Sequence, residues 1–188
     1  MALQKFKRQK SKVKMKLKTV ALVFLFFLIC SFKPVFADST YVLPYPSFMP
    51  GSFLYKPHLL LEEILKFWYF GNFGQFEYNL KESDKYLVEA KTLFEYNQFL
   101  EASKSLKKSN YYFQKTLPYL LLAQKEGKNI SEKKELLRQA SAKHIEVLEK
   151  LSKDLPDKFT WTPEKRKPTV IYIKDDLKKA ISERSKFL

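Results

Sequence analysis

The stretch LKESDKYLVEAKTLFEYNQFLEASKSLKKSN, residues 80–110, decides the fold. In its first half Leu80, Ser83, Leu87, Ala90 and Phe94 recur every three or four residues, the spacing that lines up one face of an α-helix. After Asn97-Gln98 the same spacing resumes with Phe99, Ala102, Leu106 and Asn110. Two helices joined by so short a junction form an antiparallel hairpin. Followed outward, the first runs from about Phe76 to Tyr96, and the second continues its stripe through Phe113, Leu117 and Leu121. Pro118 lies inside the second and offers no N–H to the carbonyl of Gln114, which predicts a kink or a break.

Before the hairpin, PHLLLEEILKFWYF (57–70) predicts another helix, with Pro57 at the first helical position and Gly71, Asn72 and Gly74 stopping it. Only Glu62, Glu63 and Lys66 interrupt its apolar surface, so it is expected to be buried on most sides or to border another apolar surface. After the hairpin, EGKNISEKK (126–134) supplies a glycine stop and Asn129 or Ser131 as N-cap for a helix to about Asp154. Leu137, Ala140, His144, Leu148 and Leu151 form its stripe. Beyond it, PDKFTWTPEKRKP (156–168) reads as a loop anchored by Trp161. TVIYI (169–173) is β-prone and suits either an extended strap or the buried start of a longer helix, with a last helix from about Asp175. The class is all-α, an antiparallel bundle of four to five helices.

Residues 1–37 have the order of an export signal. Eight basic residues from Lys5 to Lys18 precede the uncharged, mostly apolar Thr19–Phe32, which is shorter than the roughly 20 residues of a membrane span. Val35 and Ala37 occupy the small-residue positions of a cleavage site before Asp38. The expectation is an exported chain cleaved near Ala37-Asp38; the alternative is a chain anchored to the membrane by an uncleaved segment. Cys30, the sole cysteine, sits in the apolar run behind a branched Ile29 and does not fit a lipid-attachment site. With nine of the 35 basic residues in the signal, the rest of the chain carries 26 against 20 acids, a balance of +6 that is ordinary for a surface and does not call for nucleic acid.

YVLPYPSFMPGSFLY (41–55) follows the signal without a single charge. Pro44 and Pro46 favour an extended path, and Pro50-Gly51 fits the centre of a type II turn with Ser52 placed to cap the next helix. Residues 38–55 therefore read as a strap along a bundle of residues 56–155, with 156–188 a loop and a terminal helix packed on it. Leu43, Tyr45, Phe48, Phe53, Leu54 and Tyr55 are costly to leave in water together, and Tyr41, Leu43, Pro44, Tyr45, Pro46, Phe48, Pro50 and Gly51 are candidate residues of a docking surface.

Three polar residues fall on the apolar stripes: Ser83, Asn110 and His144. Counted from the turns, they share one level of the bundle. The favoured interpretation is a hydrogen-bonded layer that fixes register, since no acid shares the stripe; the functional one makes His144 an acid, base or ligand. His58 and Glu62 are the one His–carboxylate pair at helical spacing, and no set of three or four metal ligands assembles. Ala90, Leu93, Tyr96, Phe99, Ala102 and Leu106 have the small-and-large alternation of a tetratricopeptide-like pair, but no second copy follows. Nucleophile elbows, H-E-x-x-H and phosphate loops are missing from the sequence after the signal, so no catalytic residue, cofactor or metal is assigned.

The 41–55 element, the 80–110 hairpin and AKHIEVLEKL (142–151) together resemble a bacterial family of exported helical proteins, domain of unknown function 5667, over about residues 41–151. The most specific part is Leu43-Pro44-Tyr45-Pro46 with Pro50-Gly51-Ser52. Here Phe53 follows the Gly-Ser where the family usually has a proline, and Pro57 comes one turn later, leaving two starts for the first helix. The resemblance implies an exported helical domain and brings no activity or ligand. The expected function is a non-enzymatic protein-interaction or structural module at the cell envelope, its partner an envelope protein or surface polymer. Membrane contact is expected only through an uncleaved N-terminal segment. The alternative is a binding module for an extracytoplasmic peptide or small molecule.

Overall fold

A computed structural model describes residues 41–46 and 48–188. The signal, its cleavage site and the strap's first three residues lie outside them. The described chain is mostly helical, with five α-helices and one small hairpin: α1 (Tyr55–Leu65) with a 3-10 turn (Lys66–Trp68), α2 (Gly71–Glu95), α3 (Phe99–Lys125), α4 (Ser131–Asp154), β1 (Phe159–Trp161), β2 (Thr169–Ile171) and α5 (Ile173–Ser185). No helix among the described residues is long and apolar enough to cross a membrane.

The α2–α3 hairpin is the frame. Asn97 turns it in the left-handed region (φ 58°), with Asn97 N–H on Phe94 O and Gln98 N–H on Leu93 O closing α2. Gly127 (φ 79°) ends α3 in the same way. Pro118 does not break α3, which runs unbroken as one helix. Its stripe departs from the expected one, because Leu117 and Leu121 face solvent while Thr116, Leu120 and Ala123 are buried. A stripe that alternates steps of three and four stays on one face; successive steps of four drift off it.

α4 returns beside the hairpin with Leu137, Ala140, His144, Leu148 and Leu151 all buried. The carboxamide of Asn129 accepts from Ser131 N–H at 3.0 Å just ahead of it. Phe159–Trp161 is a strand within the expected loop of residues 156–168, and the β-prone Thr169–Ile171 is its extended partner. Phe159–Trp161 pairs antiparallel with Thr169–Ile171, and α5 begins at Ile173, two residues before Asp175. Phe159 packs at a tilt against Phe99, ring centroids 4.9 Å apart, which fixes the hairpin beside the α2–α3 turn.

Two apolar clusters result. One gathers Leu87, Phe94, Leu106, Leu148, Ile173 and Leu177 among others; the second gathers Phe76, Leu80, Phe113, Leu120, Leu137 and Ala140. Burying side chains of this size stabilises by about 1.5–3 kcal/mol each.

The strap is only partly a cover. Tyr41 packs on the second cluster and Leu43 and Met49 on the first, but Tyr45 and Phe53 stand in solvent, contrary to expectation. Pro50-Gly51 does make the turn, with Gly51 at φ 97° and Ser52 N–H bonded to Met49 O. Ser52 does not cap α1. The helix starts at Tyr55 behind Leu54, without a side-chain cap, and Pro57 is its third residue. Gly71 (φ 67°) makes the corner from which α2 starts, five residues earlier than expected. A Cβ on Gly74 would lie 2.7 Å from the Tyr69 carbonyl carbon, so this corner admits only glycine there.

Candidate functional site

Two features are candidates, a buried polar layer between the apolar clusters and an apolar outer face on α1. The layer includes the three residues singled out by spacing. Ser83 and His144 are fully buried and Asn110 partly so. Asp84, Ser109, Arg184 and Tyr41 complete it. Arg184 is the largest fully buried side chain described. Its Nε–H donates to His144 Nδ1 at 2.9 Å, NH1 to Asn110 Oδ1 at 2.6 Å and to Ala180 O at 3.0 Å, and NH2 to Ser109 Oγ at 2.8 Å. Ser109 Oγ also donates to the Ser83 carbonyl at 2.8 Å. On its flat side the guanidinium covers the Phe113 ring at 4.7 Å.

These contacts settle the state of the histidine. A guanidinium nitrogen only donates, so Nδ1 accepts and the ring proton sits on Nε2, donated to Asp84 Oδ1 at 2.7 Å. The tyrosine of the strap, Tyr41, donates its hydroxyl to Asp84 Oδ2. His144 is thus a neutral spacer between a buried cation and a buried carboxylate. Burial holds its pKa below the usual imidazole value, with Arg184 adding to that and Asp84 opposing it. Burial also pulls Arg184 down to about 9, which leaves it charged at neutral pH. Burial first, and then Asp84, push the Tyr41 phenol up.

No acid shares the stripe, but Asp84, one residue off it, shares the layer. It was missed because a single stripe was assigned to α2, whereas Asn79, Glu82, Ser83, Asp84, Tyr86, Leu87 and Glu89 are all buried, around most of the helix. Arg184 was missed too, although Ile173, Leu177, Ala180 and Arg184 follow one another at four, three and four. Chemically the layer is closed. Both imidazole nitrogens are occupied, the ring has no solvent exposure, and no buried side-chain nitrogen or oxygen among the described residues lacks a partner. A general base needs a free lone pair within reach of substrate; His144 offers none.

The second feature is α1. Its polar side faces the body: Glu62 pairs with Lys85 of α2 and with His58 at 2.9 Å, and Tyr55 donates to the buried Glu89 at 3.2 Å, which also accepts from Ser105 at 2.6 Å. Its apolar side faces out, and no residue of α1 or the 3-10 turn is buried. That corrects the expectation of a helix buried on most sides. Phe53, Phe67, Trp68 and Phe70 are 69–92 % exposed. At 150–250 Å² for a whole aromatic side chain they present on the order of 500 Å², as much as the largest apolar patch of a typical monomer before Leu60, Leu61 and Ile64 are added.

Most of the described chain, from the strap's turn through α4, is also what comparison with known families picks out: the model of the domain of unknown function DUF5667 matches residues 47–158. The chain belongs to that family. In this DUF5667 chain the match takes in α1 to α4 and stops before α5, so the arginine that completes the polar layer lies outside the matched span. No curated protein and no solved structure matches the chain.

A groove of about 490 Å³ lies between the strap and the body, bordered by Leu43, Pro44 and Pro46 on one side and by Val88, Phe94, Val147 and Leu151 on the other. Lys91, Lys143 and Lys150 and the acids Glu95, Glu146 and Asp154 line its mouth. Of the candidate strap residues, Leu43, Pro44 and Pro46 border this groove, Tyr41 enters the polar layer, and Phe48 packs edge-on against His58 at 5.1 Å. Tyr45, Pro50 and Gly51 join neither the groove nor the layer; Pro50 and Gly51 make the turn.

Proposed function

We propose that this DUF5667 chain is an exported, non-enzymatic module of the cell envelope that works by docking, as a protein-interaction or structural element. The observation that carries this reading is the orientation of α1, polar side inward and apolar side outward. A helix with a free choice would bury its apolar arc; here ion pairs and hydrogen bonds to α2 hold that arc in the open. The N-terminal basic and apolar run supports export. The closed state of the His144 layer supports a structural role for the only buried histidine described.

The test is association with the envelope in intact cells, by crosslinking and fractionation, of the chain and of its Leu61→Ser/Phe67→Ser variant. The reading expects the variant to lose association while its melting temperature stays within about two degrees of the parent's. Retained association would contradict it.

A second reading has its own observation. The groove beneath Leu43, Pro44 and Pro46 is apolar inside and charged at its mouth, the form of a site for an extended peptide or a small molecule. Val147→Trp would fill it, and ligand-dependent stabilisation that survives this change would rule the groove out.

A further inference from the structure

We propose that the outward face of α1 and its 3-10 turn seats in the interfacial layer of a lipid bilayer. The inference rests on α1 being the docking surface and names what covers it. With successive residues about 100° apart, Leu54, Pro57, Leu61, Ile64, Leu65 and Trp68 fall on one arc, while Glu62 and Lys66 fall opposite. The Glu62–Lys85 and Tyr55–Glu89 contacts prevent the helix from rolling that arc inward. The cavity at α1 opens on its inner side, lined by Leu59, Glu62 and Glu63. Its outer side is a ridge. Side chains that stand out from the surface suit a fluid that closes around them.

The residue types fit the same solvent. Phe67, Trp68 and Phe70 stand exposed in succession at the end of the helix, and tryptophan and phenylalanine beside leucine form the apolar side of helices that lie in membrane interfaces.

The chain outside the described residues leads to the same place. On the export reading the apolar run Thr19–Phe32 is the segment that would enter a bilayer, and only Lys33–Thr40 separate it from Tyr41. Those residues span at most about 30 Å. Tyr41 is held by Asp84, and α1 by the next residue, Lys85. While the apolar run remains attached, the tether therefore enters the fold at the level of α2 on which α1 is held.

Trp68 and Trp161 are the only tryptophans, so each can report alone. The full chain carrying Trp161→Phe is reconstituted in vesicles of phosphatidylethanolamine and phosphatidylglycerol, with and without acyl-chain bromination. Trp68 fluorescence should fall at least two-fold on brominated lipid and lose most of its quenching by aqueous acrylamide, whereas Trp161 in the Trp68→Phe chain should respond little to bromine. If Trp161→Phe unfolds the chain, fluorotryptophan incorporated into the unaltered sequence reports both positions separately. Trp68 unquenched by bromine and open to acrylamide overturns the inference. So does protection that grows with the number of copies per vesicle, which would make a second copy the occupant. If Trp68 stays in water while Leu61→Ser/Phe67→Ser still abolishes envelope association, the bilayer is wrong and the docking surface stands. If that association is kept as well, both fall.

Discussion

Two short helices flank the α2–α3–α4 body, and they treat their polar and apolar sides in opposite ways. The 13-residue α5 turns Ile173, Leu177 and Ala180 into the core and continues the same stripe with Arg184. The 11-residue α1 turns Glu62 and Tyr55 to the body and leaves Leu60, Leu61, Ile64 and Leu65 outside. Hydrophobicity alone would have ordered them the other way. What decides is the partner waiting on the body: α2 offers Lys85 and Glu89 to α1, while Ser109, Asn110 and His144 offer acceptors to Arg184. A buried charge with a complete set of partners is tolerated, and an apolar face with nothing opposite stays open.

The comparison breaks most easily at Arg184. Arg184→Met leaves Asp84 without its cation and Ser109 and Asn110 without their donor, and should lower the unfolding free energy by about 3–5 kcal/mol in urea titrations. A loss below about 1 kcal/mol would mean that the cation is not essential to the layer.

His144→Leu should cost about 3 kcal/mol, because Arg184 Nε and Asp84 Oδ1 both lose their partner. The histidine also sets a pH dependence. Its folded pKa lies below the unfolded value of about 6.5, so the folded chain binds fewer protons as that value is approached. Its contribution is fully present above pH about 6.5 and is lost as pH falls through the folded pKa. Melting temperatures from pH 7.5 down to 5 should therefore decline more steeply in the parent than in His144→Leu; parallel slopes would contradict the neutral spacer.

The strap offers a finer contrast between neighbours. Tyr41→Phe removes a hydrogen bond to a carboxylate and should cost about 1.5 kcal/mol. Tyr45→Ser alters a side chain that is 95 % exposed and should change stability by less than about 0.5 kcal/mol. Equal effects in the two melts would show that the strap acts by area alone.

Much of the fold was legible in the sequence because period and punctuation agreed. The stripes of α2 and α4 were read residue for residue, and Asn97, Gly127 and Pro50-Gly51 turn the chain where their types suggested. The misreadings concern relations between distant segments. Nothing local shows that α2 is covered around most of its circumference, so Asp84 and Glu89 gave no sign of burial. Arg184 was not singled out at all, and only the continuation of Ile173, Leu177 and Ala180 by one more step would have placed it inside. The hairpin of residues 159–171 escaped because Phe159–Trp161 is too short a run to show alternation. The apolar arc of α1 was visible in the sequence, but its direction was not, since that depends on Lys85 and Glu89, 23 and 34 residues from their partners in α1.

The central claim is that α1 contributes its polar side to the fold and keeps its apolar side for something else. A urea titration of the chain carrying Leu61→Gln, Ile64→Gln and Trp68→Gln together tests it directly. Glutamine keeps a helix propensity close to that of the residues it replaces. The account predicts an unfolding free energy within about 1 kcal/mol of the parent's. A loss of several kcal/mol, as expected for three side chains taken from a core, would contradict it.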